Sequence, residues 1–215
     1  MAADGNIRQV FDDVVEMIYE RGLNYDKIGD GRILRLIAAA EDAFCELTGV
    51  LLTEVNASIT LNDREHTLSP GGTKVLVEVE SIKYNGKPLD IRPYIEGESQ
   101  PDYYQLHYAT DGVMIARETV RLTFDPPATV GIASAMNGLT WFFSYAPGAT
   151  YTDLSGGLVL SSLYYAYLKA YVMWQLCVSF APQISHLYER DFYNGVRIHT
   201  RLRRPEPIPV KPIKA

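Results

Sequence analysis

Leu158–Phe180, LVLSSLYYAYLKAYVMWQLCVSF, decides how the rest of this chain is read. It holds neither Pro nor Gly, and Lys169 is its only charge. Apolar and aromatic residues occur on every side of a 3.6-residue wheel, the pattern of a helix enclosed by neighbours. Gly156-Gly157 before it and Ala181-Pro182 after it punctuate both ends. As one helix it would run about 34 Å, enough to cross a small domain or a bilayer. A central Lys, three Ser and four Tyr would then place polar groups at hydrocarbon depth. The expectation is therefore a central helix of a soluble assembly, with no membrane span.

Other helical segments flank this one. Asn6 is placed to cap a first helix, in which Ile7, Val10, Phe11, Val14 and Ile18 recur at three- and four-residue steps. Asp12, Asp13, Glu16 and Glu20 fill much of the other face, and Gly22 marks the end. Adjacent helix positions point in different directions, so Asp12-Asp13 reads as a solvated face and not as a catalytic dyad. After a loop from Leu23 to Gly31, a second helix is expected, capped by Asp30, with Ile33, Ile37, Ala40, Phe44 and Leu47 as its stripe. Gly29 and Gly31 are no phosphate loop, because the Lys-Ser/Thr pair and a feeding strand are missing. These two helices read as an antiparallel hairpin. A last helix starts at Pro182, a residue suited to a first helical position, and runs through Leu187, Tyr188, Phe192 and Val196 toward Arg201.

Between the helical halves the hydrophobic period changes. Val55, Ala57, Ile59 and Leu61 alternate with polar residues, Asn62-Asp63 makes a turn, and Glu65–Leu68 is expected to return along the same strand. Val75, Val77 and Val79 alternate with Glu78 and Glu80, predicting one wet face. Tyr84-Asn85-Gly86-Lys87 is a tight hairpin turn, from which Leu89–Arg92 runs back to Pro93. Further short strands are expected at 103–107, 112–116, 120–124 and 139–145, a small antiparallel sheet or barrel. The fold class is α+β: a helical bundle of two N-terminal and two C-terminal helices over 1–49 and 156–204, with an inserted antiparallel β subdomain over 50–147. An extended Pro-rich C-terminal arm over 205–215 completes it.

Charge is unevenly spread over the 215 residues, whose net charge is −6. From Arg197 onward there are six Lys or Arg against Glu206 alone, so the tail carries +5 and the body −11. An acidic body disfavours simple duplex binding and leaves the tail as the charged contact arm. Fifteen Tyr fit either large subunit interfaces or a Tyr-rich core. Cys45 and Cys177 lie in apolar helical runs, as expected for reduced thiols in a cytosolic interior. The N-terminus MAADGNIRQ lacks the basic-then-apolar pattern of a signal peptide.

Catalytic motifs are absent. His66, His107, His186 and His199 have no metal-ligand spacing partner, and no Ser or Cys sits in a nucleophile motif. Glu65-His66 falls in a predicted strand, where a surface position explains it. No catalytic, cofactor or metal residue is assigned, and no enzymatic activity is expected.

The order of parts carries a resemblance. Two N-terminal helices lead into ITLNDREHTLSP, then VLVEVESIKYNGKPLDIRPY, then VRLTFDPPATVG. WFFSYAPGA follows, then the Tyr-rich helix and a last helix ending in basic residues. From about Ile7 to Arg204 this resembles the head-to-tail adaptor (connector, or head-completion) proteins of tailed bacteriophages. The resemblance implies a non-enzymatic virion protein at the head–tail junction, assembled in the host cytoplasm. It further implies a homo-oligomeric ring of about a dozen copies, contacting the portal on one side and tail or nozzle proteins on the other. The genome would pass through its channel without specific binding, and an acidic wall that does not grip phosphate suits that passage. Two other classes are weighed: another neck ring such as a tail terminator, which the C-terminal helical pair disfavours, and a ligand-binding or enzymatic β-barrel, for which no convergent polar pocket is readable.

The tail segment RRPEPIPVKPIKA has prolines at 205, 207, 209 and 212, which exclude helix and interior strand. Ile208, Val210 and Ile213 alternate with prolines, and Arg203, Arg204, Lys211 and Lys214 supply charge. An extended arm of this kind can lay apolar groups into a groove with an acidic rim. Arg203, Arg204, Ile208, Val210, Lys211 and Ile213 are the residues expected to dock on the portal.

Overall fold

A computed structural model describes residues 6–57, 65–68, 70–84, 87–88, 90–91, 103–108, 120–125 and 139–203, with side chains over 6–56, 70–83 and 140–200. The chain is α+β. It divides into two compact units, a helical unit from Met1–Val50 with Thr150–Ala215 and a β unit from Leu51–Ala149.

In the helical unit, α1 (Ile7–Glu20) starts where expected: the Asn6 side chain accepts a hydrogen bond from the Arg8 N–H at 2.9 Å. Ile7, Val10, Phe11, Val14 and Ile18 are all buried. The expected loop contains a single helical turn, α2 (Tyr25–Ile28), capped by Asn24. Asp30 does not cap the next helix. It is the first residue of α3 (Asp30–Thr48), whose N-cap is Gly29, and its carboxylate accepts from the Tyr25 hydroxyl instead. Gly49, at φ 61°, ends α3 with its N–H on the Cys45 carbonyl.

The long central helix is shorter than the sequence predicts. It begins with a 3₁₀ turn at Ser162–Tyr164 and becomes α4 only over Tyr165–Phe180. Before it, Leu158 and Leu160 are buried while Val159 between them is exposed, the alternation of extended chain. Ser161 holds an extended conformation and its carbonyl accepts from the Tyr164 N–H. Polar groups at the start, with Glu41 drawing the Leu160 N–H, win over the apolar pattern there. The enclosed character of the remaining helix is as read: α4 packs on α1, α3 and α5 (Pro182–Arg203). Gly195 of α5 lies close against α4, since a Cβ there would lie 2.3 Å from Tyr167 Cδ1.

Among the described residues the β unit holds two four-stranded sheets. Their elements are β1 (Leu52–Ala57), β2 (Glu65–Leu68), β3 (Val75–Tyr84), β4 (Lys87–Pro88), β5 (Asp90–Ile91), β6 (Tyr103–Tyr108), β7 (Val120–Asp125) and β8 (Leu139–Ala146). The orders are β1-β8-β3-β4 and β2-β7-β6-β5. β1 pairs with β8, and β2 with β7, while the turn expected at Asn62-Asp63 lies outside the described residues. Tyr84 pairs with Lys87, with Asn85-Gly86 between them outside the described residues, and Asp90-Ile91 pairs in parallel with Tyr103-Tyr104. One pair of the expected antiparallel subdomain is therefore parallel. The strand expected at 112–116 lies outside the described residues.

β3 also departs from simple alternation. Register shifts between Leu76 and Glu78 and between Val79 and Ser81 insert two bulges against β8. The buried set becomes Leu76, Val79 and Ile82, every third residue, while Val75 and Val77 are only half-buried and Glu78 and Glu80 stay exposed. Trp141 and Phe143 of β8 stack beside them at 4.0 Å between ring centroids. At the end of β8, Gly148 (φ 59°) passes so near the Thr73 carbonyl that a Cβ would come within 2.0 Å of its oxygen.

Candidate functional site

The expected portal-docking residues fall at the edge of what the structure describes. Arg203 is the last residue of α5, and its side chain, with Arg204, Ile208, Val210, Lys211 and Ile213, lies outside the described residues. His186 is exposed on α5, and His199 is edge-on to Phe44, Tyr164 and Tyr167 with ring centroids 4.9–5.7 Å apart. His66 and His107 lie on β2 and β6 opposite Leu122 and Arg121, their side chains outside the described residues. Among the described residues no group of three or more His, Cys, Asp or Glu could hold a metal ion. No helix among them is long and apolar enough to cross a membrane.

The helical unit has an aromatic centre. Phe44 of α3 stacks on Tyr167 at 5.6 Å and meets Phe192 edge-on at 6.2 Å, and Tyr171, Trp174 and Tyr193 extend the cluster along α4 and α5. The Tyr surplus is thus spent partly on core packing. Burial raises the Tyr164 and Tyr171 hydroxyls above their ordinary range, so they remain neutral donors. Burial likewise raises the Cys45 and Cys177 thiols, which stay protonated and unreactive.

One buried acid was not singled out from the sequence. Glu41 of α3 is fully buried; its Oε1 accepts from the Leu160 N–H at 2.8 Å and its Oε2 from the Tyr151 hydroxyl. Burial is the largest influence on this carboxyl and raises it, opposed by hydrogen bonds from Leu160, Tyr151 and Val159, with Asp42 adding to the rise. It holds both ends of the irregular stretch 151–160, which carries the chain from the β unit into α4. The signal existed: Glu41 continues the Ile33, Ile37, Phe44, Thr48 stripe, where a carboxylate needs partners.

Chemistry at the surface is of another kind. Among the described residues of the helical unit eight large apolar or aromatic side chains are exposed, Leu163 at 67% the most so. Three of them, Leu187 (38%), Tyr193 (46%) and Ile198 (48%), lie on α5 among the exposed bases Arg190 and Arg197. Such a surface can bind another protein. Compared with known proteins, the chain matches no family model and no curated sequence.

Proposed function

We propose that this protein is a structural, non-enzymatic head-to-tail adaptor of a tailed bacteriophage, forming a ring beneath the portal that joins capsid to tail around the genome channel. The order of parts in the sequence suggests the class. The observation that carries the reading is the exposed apolar surface of the helical unit, with Leu163, Leu187, Tyr193 and Ile198 in contact with solvent in a single copy. A ring subunit needs exposed apolar side chains of this kind to bury against its neighbours. The basic, Pro-rich residues after Arg203 act as the arm toward the portal, since prolines limit the entropy lost when an extended segment docks.

Mixing the purified full chain with portal rings and weighing the product by native mass spectrometry tests this. The expected result is a discrete complex with as many adaptor copies as portal subunits, lost when residues 205–215 are deleted from a chain that still folds. A full-length protein that ignores portal rings and instead caps tail tubes would make it a tail-side ring. One that binds neither would end the adaptor reading.

A further inference from the structure

Two outer faces of the helical unit carry opposite charge. α1 and α5 each pack on α3 and α4, so each keeps one face turned away from the core. On α1 that face holds exposed Asp12, Glu16 and Glu20, recurring every four residues over about 12 Å. Asp13 beside them is held by Lys169 at 2.8 Å, but among the described residues no ion pair reaches the other three. Arg8 is the exposed base of this helix, one turn before Asp12.

On α5 the outer face holds Arg190 and Arg197, about 10.5 Å apart along the axis, a spacing close to that of the α1 carboxylates. Among the described residues Arg190 meets only its neighbour Asp191, at 3.4 Å with both side chains more than half exposed, a pair of little energetic weight. Arg197 reaches Asn194 at 3.3 Å. Leu187, Tyr193 and Ile198 surround these bases with apolar area.

Resting on the ring reading above, we infer that the acidic face of α1 in one copy seats against the Arg190–Arg197 face of α5 in the next copy. The occupant is a second copy because both faces find their complement in the same molecule. A polyanion bound to α5 would leave the acidic face of α1 unmatched. Two different patches in contact make a head-to-tail interface, which repeats from subunit to subunit and closes into a ring where the rotation allows. Apolar contact from Leu187 and Ile198 supplies much of the affinity, while the charges set register and encounter rate.

The test uses two full-length variants, D12K/E16K and R190E/R197E, followed by sedimentation velocity at low ionic strength with and without portal rings. All four positions are exposed, so melting temperatures near wild type are expected for both. Wild type assembles, and each variant alone associates at least tenfold more weakly. Their equimolar mixture recovers assembly, because the basic α1 of one variant meets the acidic α5 of the other and unaltered faces meet at the alternate contacts. If either variant assembles as wild type does, or the mixture stays dispersed, the interface is wrong. Wild-type copies that bind portal singly, with no contact among themselves, overturn the interface and leave the adaptor reading standing. A wild type that self-associates through these faces yet ignores portal supports the interface and sinks the adaptor reading.

Discussion

The helical unit and the β unit keep irregular backbone in place by different means. In the helical unit a side chain does it: Glu41 takes one hydrogen bond from Tyr151 and one from Leu160, fixing a stretch that has neither helix nor strand. In the β unit the backbone does it, with two bulges absorbed into the β3–β8 ladder and Gly148 lying against the Thr73 carbonyl. A polar side chain there, the Trp141 indole N–H, is buried without a hydrogen-bond partner among the described residues. Damage should therefore follow side-chain chemistry in one unit and backbone geometry in the other.

The largest effect is expected at Gly148→Ala. Its positive φ and the Thr73 oxygen together forbid a Cβ, and the loss should be about 4 kcal/mol. Hydrogen exchange should show that loss in β3 and β8. A change under about 1 kcal/mol by denaturant titration would mean the backbone there can shift.

Next comes Glu41→Ala, which strands the Leu160 N–H and the Tyr151 hydroxyl and should cost about 3 kcal/mol. Glu41→Gln keeps an acceptor and should lose much less. The same residue makes a pH prediction. Burial raises the carboxyl above its ordinary 4.5, so the folded state favours the proton more than the unfolded chain does. That contribution is complete below pH 4.5 and is lost as pH rises through the higher folded value. Wild type should lose helical-unit stability across that window, and a Glu41→Gln protein that shows the same slope would remove Glu41 as its cause.

A smaller loss, about 2 kcal/mol, is expected for Gly195→Ala, where the new methyl meets the Tyr167 ring. Combining it with Tyr167→Ala should give less than the sum of the two separate losses, since the clash disappears with the ring. Smallest is Trp141→Phe, within about 1 kcal/mol, because lost packing is offset by removing a buried N–H that has no partner. A loss near 3 kcal/mol would reveal a partner for that N–H.

Much of the helical unit could be read from residues alone, because its signals are local. Asn6, Gly22, Pro182 and the three- and four-residue steps of Ile7 to Ile18 each act within a turn or two of themselves. The start of α4 escaped because its competitor is distant: Leu160 donates to a carboxylate 119 positions earlier, and no window over Leu158–Phe180 contains Glu41. Strand pairing escaped for the same reason, since β1 finds the distant β8 and β2 the distant β7. In β3 the bulges turn an alternating pattern into burial at Leu76, Val79 and Ile82, a spacing that resembles helix more than strand. Of the candidate surface, the charges of α1 and the bases of α5 were visible in the sequence, but which apolar residues stay uncovered depends on packing that only the fold decides.

The pairing of β1 with β8 also bears on how the chain is made. Ninety-nine residues separate the two halves of the helical unit, and α1 and α3 leave the ribosome long before α4 exists. An unstructured insert of that length would hold the halves apart by loop-closure entropy. Once folded, however, the insert has its first and last strands side by side: the Leu51 carbonyl accepts from the Tyr145 N–H at 3.0 Å, and Leu52 lies opposite Ser144. A nascent chain whose β unit folds first would behave as though its halves were joined by only a few residues, which is worth about 2.5 kcal/mol of closure entropy. Biosynthetic order then has a physical consequence: a β unit slow to fold leaves the apolar faces of α1 and α3 waiting in the open, exposed to aggregation, for a partner helix that cannot yet reach them.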